Sequence, residues 1–337
     1  MGRRLAWTPL VVTTIALAVW GAAALHFAGP RPQLLADGLA LALLLAAIAV
    51  LGWIRPLGRT LIALAILLAA FTLWWRSLEA RNDRDWQADV ARTPRVEIVG
   101  DQLTVHDLRN FDYRSETDFT EHWETRTFDL SRLAGLDLFM SYWGSPSIAH
   151  TILSWDFDDG QHLAISIETR KEKGEEYSAV AGFFKQYELY YVVADERDVV
   201  RLRTNYRHEE VHLYPLRTPV VRARRILLDY VAAINALAAH AEFYNAATAN
   251  CTTTITTHVR NIGLAFPWDW RVLVNGHLDE LLYENGIIDV SRPLAEVRQA
   301  SLVNARARAA DHDPAFSARI RDGLVRPPLL VLPAGAQ

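Results

Sequence analysis

The sequence holds a single cysteine, Cys251, so no disulfide can form within the chain. A solitary thiol leaves two readings open: a small buried hydrophobe, or a group kept for its chemistry. Paired CxxC and HExxH zinc patterns are missing, as are glycine-rich phosphate loops, and no metal or cofactor is expected. There is no polybasic tract and the net charge is −4, which argues against a nucleic-acid partner.

What is abundant is hydrophobicity, and it lies at the front. Residues 10–27, 34–54 and 60–75 are apolar runs. Each is near the ~20 residues a helix needs to cross a bilayer, the third being short enough that lying in the interface plane is its alternative. Arg3 and Arg4 followed by one apolar run resemble a signal peptide, but two more spans follow at once, which favours retention over cleavage. Arg55 and Arg59 sit between the second and third runs and only Arg31 between the first two. The positive-inside bias therefore puts the N-terminus in the cytoplasm and everything after Trp75 on the other side of the membrane, with membrane lipids as the partners of the spans. Trp74 and Trp75 suit the interfacial aromatic belt, and Asp37 falls at headgroup level.

Residues 76–94 are charged and helix-compatible and read as a stalk. Short β-prone runs follow at 96–99, 103–106, 123–130 and 138–143. Residues 150–157 and 161–168 flank Asp158-Asp159-Gly160, a hairpin signal. Further strands are predicted at 187–194, 198–203 and 211–216. Residues 222–239 carry apolar side chains at helical spacing. Helices are also predicted at 251–261, stopping at Gly263, and at 269–285, stopping at Gly286. The prolines beyond residue 324 make the tail extended or disordered.

Strand alternation puts His150, Ile152, Ser154 and Asp156 on one hairpin face with His162, Ala164, Ser166 and Glu168, and leaves the other face apolar. A turn centred on Asp159 makes facing residue numbers sum to 318 and sets His150 opposite Glu168. A carboxylate there can hold one imidazole nitrogen and leave the other to act as a base. Asn250 is a good N-cap, which puts Cys251 in the first turn of a helix, where the dipole favours a thiolate and free N–H groups suit an oxyanion. Asn250's side chain is a second oxyanion candidate, though a cap cannot easily do both. Against this stand an ordinary satisfied histidine at 150 and a solvated strand end at Glu168. His258 lies two turns beyond Cys251, ~10 Å along a helix and too far for direct proton transfer. Five other histidines (106, 122, 208, 212 and 240) show no ligand spacing and read as surface residues.

The strings AHTILSWDF and FYNAATANCTTTI, spanned by residues 149–157 and 243–255, resemble the family of the Lnb N-terminal periplasmic domain. The resemblance covers roughly residues 95–324. That family is similar to permuted papain-like proteins such as lecithin–retinol acyltransferase, in which the histidine strand precedes the cysteine helix, as here. The resemblance implies Cys251 as nucleophile, His150 as base and a polar residue on the next strand as orienter. Glu168 is the geometric choice for that last role and His162 the runner-up, because His162 faces His150 only if the turn centres on Asp156. It further implies an α+β fold: transmembrane helices in 1–76, a stalk in 77–94, and a permuted papain-like antiparallel sheet packed on helices in 95–324, with an extended tail in 325–337. The function implied is a bacterial inner-membrane enzyme with its C-terminal domain in the periplasm, moving acyl chains between acyl-lipids and lipoproteins through a Cys251 thioester. A papain-like peptidase or amidase acting on peptidoglycan peptides, or a non-catalytic envelope binding module, is the alternative.

Overall fold

The computed structural model describes residues 2–264 and 268–331. They divide into two compact units. The first holds the residues up to Arg81 together with Glu176–Glu188 and Glu242–Ala246. Its three helices are α1 (Gly2–Ala28), α2 (Gln33–Trp53) and α3 (Leu57–Ser77). All three are long and apolar enough to cross a membrane, and α3 matches α2 in length at 21 residues. Their outward faces carry Val12, Leu45, Ile62 and Leu73, side chains suited to lipid rather than water. Small residues line the contacts instead: Ala24 on α1 and Ala36 on α2 are fully buried, which lets backbones approach closely. Asp37 accepts a 2.6 Å hydrogen bond from the His26 ring near the start of α2. Trp20, Phe71 and Trp75 cluster with Phe184, and Lys185 donates to the Trp75 carbonyl at 2.9 Å.

The second unit begins at Asn82. Residues 78–94 do not form the predicted helical stalk; they contain only a short 3₁₀ turn, Ala88–Val90. The reason is tertiary: the buried Arg170 guanidinium donates to Asn82 Oδ1 and to the carbonyls of Val90 and Ala91, and lies 4.4 Å from the Trp86 ring. Those contacts hold residues 82–91 against the strand that carries Arg170 within the second unit.

The strands are β1 (Arg95–Val99), β2 (Gln102–Arg109), β3 (Asp112–Tyr113), β4 (Phe119–Thr120), β5 (Trp123–Asp129), β6 (Leu133–Tyr142), β7 (Ala149–Phe157), β8 (His162–Arg170), β9 (Glu188–Ala194) and β10 (Glu210–Pro215). β3 and β4 form a separate ribbon. The main sheet runs β1-β2-β9-β8-β7-β6-β10, with β5 also on β2. The sequence predicts an antiparallel sheet; the sheet is mixed, because β9 joins β2 in parallel at Arg109 and Ala194. Pairs in the β7–β8 hairpin run from Ile152/Ser166 to Asp156/His162, every one summing to 318. Gly160 closes the turn at φ +85, a conformation that side chains disfavour.

Both faces of the sheet are covered. On one, Leu153, Trp155, Ile165, Ile167 and Tyr191 pack on α5 (Val220–Ala239), whose buried stripe is Ala223, Ile226, Leu227, Tyr230, Val231, Ile234 and Leu237. α6 (Cys251–Asn261) and α7 (Leu278–Glu284) complete that layer. On the other, Phe139, Ile152, Ala164 and Val192 meet α4 (Glu196–Arg201) and the C-terminal residues Val303, Ala307, Phe316 and Ile320. Three short helices, α8 (Leu294–Ser301), α9 (Asn304–Ala309) and α10 (Phe316–Arg319), occupy that last stretch. The hairpin face predicted to be polar is therefore buried, its Ser154 hydroxyl donating to Glu196 at 2.6 Å.

Two predicted elements differ. Residues 198–203 form α4 and a π-helical turn, Leu202–Tyr206, rather than a strand. Asp195 caps α4 by accepting from the Arg197 amide, and Glu196 and Asp198 favour its first turn, outweighing the valines' β preference. The helix predicted at 269–285 is broken into 3₁₀ turns at Trp270–Val272 and Asn275–His277 before α7. Gly276 explains the break. A Cβ there would lie 2.2 Å from the Pro146 carbonyl oxygen, and its amide donates to Ser147. The tail through residue 331 is extended, tied by Arg326 to Asp137 and Asp156; residues 332–337 lie outside the described part.

Candidate active site

α6 begins at Cys251 because Asn250 caps it. The Asn250 side chain accepts from the amides of Thr252 and Thr253 at 3.0 and 2.9 Å, and Thr253 Oγ1 accepts from the Asn250 amide at 2.9 Å. This capping box offsets a threonine-rich helix's poor propensity. Asn250 therefore caps the helix through its side-chain oxygen, and the amide of Cys251 itself is the helix-end group outside the box. Replacing Asn250 with alanine should cost about 1 kcal/mol of stability. A lowered unfolding midpoint of the full chain in detergent is the expected readout, and an unchanged midpoint would contradict the capping role.

Cys251 is buried at 9% exposure. The β7–β8 ladder stops at Ile152/Ser166, although both strands run on to Ala149 and Arg170. At that end His150 and Thr151 lie near enough to the thiol to act on its ionisation, while Asn275 Nδ2 and Thr252 Oγ1 stand 3.7 and 3.8 Å from the sulfur. Burial pushes the thiol up, but the neighbouring imidazole and Thr151 outweigh it and bring it down to about 6.

The His150 ring is held from its other side. Its Nε2 lies 2.6 Å from Ser166 Oγ and 3.3 Å from Glu168 Oε1, and the Ser166 hydroxyl donates to Glu168 at 2.8 Å. Nε2 is thereby occupied, which leaves Nδ1 for Cys251. Burial and the Arg203 charge lower the imidazole, yet Glu168 and the Cys251 thiolate prevail and raise it to about 9. For Glu168, burial works upward, but His150 and Arg203 hold the carboxylate well below its usual range. Arg203 donates to Glu168 and to Glu209, both at 2.9 Å, and Ser141 donates to Glu209. Along the chain of groups Cys251–His150–Ser166/Glu168–Arg203–Glu209, the Arg203 side chain is 6% exposed, while Glu168 keeps an edge open to solvent. Such an arrangement favours a thiolate–imidazolium pair, able to attack an electrophilic carbon and to pass a proton to a leaving group.

His162 stands elsewhere. It pairs with Asp156 near the turn, its Nε2 3.0 Å from Asp156 Oδ1. His258 is also apart from the thiol, its Nδ1 2.6 Å from Asp229 and its Nε2 2.7 Å from the Tyr191 hydroxyl, stacked on Tyr230. His212, read as a surface residue, is buried and bonded to Ser301 at 2.9 Å. Among the described residues no group of three or more His, Cys, Asp or Glu side chains is arranged to hold a metal ion.

Four participants escaped the sequence reading. Ser166 shared the predicted face with Glu168, so alternation could have found it. Arg203 and Glu209 depend on the π-helical turn replacing a strand. Asn275, whose Nδ2 lies 3.7 Å from Cys251 Sγ and 2.7 Å from Thr252 Oγ1, depends on the broken helix.

Residues 119–276 match the family model of the Lnb N-terminal periplasmic domain, a span that contains every residue of this cluster. Neither the curated proteins nor the solved structures yielded a match. The matched domain and the three apolar helices fit a membrane protein with a periplasmic domain.

Proposed function

We propose that this chain, whose residues 119–276 match the family model of the Lnb N-terminal periplasmic domain, is a cysteine acyltransferase or acyl hydrolase working at the outer face of the inner membrane. Its N-terminus is cytoplasmic in this reading, as the basic residues favour. One observation carries it: the only thiol in the chain is a capped-helix cysteine beside a histidine that favours its ionisation and whose Nε2 is held by Ser166 and Glu168.

The chemistry runs in two halves. The Cys251 thiolate attacks an ester carbonyl, a C–S bond forms and the carbonyl electrons move to oxygen. Collapse breaks the C–O bond, and His150 Nδ1–H protonates the departing alcohol, leaving a thioester. His150, now neutral, takes a proton from an incoming amine or water as it attacks, and the thiolate is regenerated. Ser166 and Glu168 keep the ring oriented through both halves, and Arg203 keeps Glu168 ionised and in place.

A long apolar substrate suits the surroundings. The loop ending at Ala149 exposes Trp143 and Ile148, and the loop leading to Asn275 exposes Trp268, Trp270 and Leu273. Apolar side chains left open beside a polar site are a mark of ligand contact. Acyl-lipids, with lipoproteins as acceptors, fit both this rim and a membrane-anchored chain; the papain-like comparison rests on the same cysteine–histidine order. The test is to expose membranes containing the full chain to a phospholipid with an alkyne-tagged acyl chain. Hydroxylamine-labile label on the unmodified protein and none on Cys251→Ala is expected. Equal labelling of both, or release of amines from wall peptides with no acyl label, would overturn the proposal.

A further inference from the structure

Asn275 is tied to both halves of the site. Its Oδ1 accepts the amide of Ala149, next to His150, at 2.9 Å. Its Nδ2 donates to Thr252 Oγ1 at 2.7 Å and points at Cys251 Sγ at 3.7 Å. The residue is 6% exposed. Its backbone is fixed as well: the Gly276 amide donates to the Ser147 carbonyl at 3.0 Å, and the Tyr142 hydroxyl donates to the Gly276 carbonyl at 2.9 Å. A side-chain amide held at its oxygen is fixed against a flip, which keeps its nitrogen on the side of Thr252 and the sulfur.

We infer that Asn275 supplies the side-chain hydrogen bond that stabilises the oxyanion formed when Cys251 attacks an acyl carbonyl. This deepens the acyl-transfer reading and rests on it. An amide that contacts the sulfur before attack lies within reach of the oxygen on the carbon that the sulfur then bonds. The Asn250 side-chain oxygen is engaged in the helix cap, whereas the Asn275 amide nitrogen is the side-chain donor placed at the sulfur. The Cys251 amide, outside the capping box, is the companion donor. In the step itself the C–S bond forms, the carbonyl π electrons become the oxyanion, and Asn275 Nδ2–H donates to it without losing its proton. Donors of this kind contribute because they are already oriented when charge develops.

Alkylation separates this role from a structural one. Attack on iodoacetamide needs the thiolate but creates no oxyanion, whereas acylation by p-nitrophenyl octanoate needs both. Both rates are measured on the full chain in detergent, and their ratio is independent of how much thiolate is present. In Asn275→Ala the acylation-to-alkylation ratio should fall about 10²- to 10³-fold. Asn275→Asp keeps an oxygen for the Ala149 amide but has no N–H, so it should show the same fall even if the alanine variant folds poorly. A ratio within a few-fold of the unmodified protein in the variant that folds would overturn the inference. Failure of the unmodified protein to be acylated at Cys251 would instead overturn the acyl-transfer reading, and this role with it.

Discussion

Cys251→Ser should lower acyl-lipid turnover by about ten-thousand-fold or more, with the fold intact. The serine is nearly isosteric and leaves the capping box of Asn250 and Thr253 untouched. What it removes is the anion: a hydroxyl beside His150 stays protonated at neutral pH, so the imidazole must act as a base on a far weaker acid. Nucleophile replacements in enzymes whose groups act as a unit cost this much or more. Circular dichroism and the unfolding midpoint should remain close to those of the unmodified protein. Turnover within ten-fold of the original would mean that the sulfur does no chemistry and is the small buried hydrophobe its burial also allows.

His150→Asn should be nearly as damaging, about a thousand-fold, and for two separable reasons. The proton carrier for the leaving group is gone, an effect worth ~10²- to 10⁴-fold by itself. The thiol also loses its counter-charge, and burial, the largest influence on it, then acts against ionisation. With an apparent value of about 6, roughly nine-tenths of the thiol is ionised at neutral pH; returned to the ordinary range near ~8.5, only a few per cent is. In the unmodified protein the pH profile follows from the pair. Below about 6 the thiolate takes up a proton and the nucleophile is lost. Above about 9 the imidazolium releases its proton and the general acid is lost. Activity should therefore plateau between these limits, and the acid limb should shift upward in His150→Asn. An acid limb that does not move would show that His150 does not set the ionisation of Cys251.

Much of this arrangement was legible in the residues, and the limits were physical. Period-two alternation and the Asp-Asp-Gly turn specified the β7–β8 register, since a one-residue slip would have turned Leu153 and Trp155 away from the core. The helix start at Cys251 followed from the local chemistry of Asn250, which needs no distant partner. What failed were segments whose conformation is decided by contacts far along the chain. The run Asp198-Val199-Val200-Arg201 has strand-like valines, but Asp198 is fully buried against Arg109 and Arg201 reaches Asp112, and both pairings need a helix. The break at Gly276 depends on the loop at Pro146, about 130 residues earlier, a contact no periodicity encodes. Arg203, Glu209 and Asn275 came from these two segments, so the supporting groups of the site stayed hidden while its core pair did not. Glu168 illustrates the same limit from the other side. Its nearness to His150 was readable, although the paired register ends at Ile152/Ser166, short of them, but a solvated strand end and a clamped carboxylate have the same sequence, and only Arg203 distinguishes them.

The single thiol makes the decisive test simple. Thiolate ultraviolet absorbance of the full chain in detergent, titrated with pH and corrected by subtracting Cys251→Ala, reports on one sulfur and needs no reagent to reach a buried site. A thiolate that appears with an inflection near about 6 is the predicted result. An inflection in the ordinary thiol range near ~8.5 or above would contradict an ion pair between Cys251 and His150.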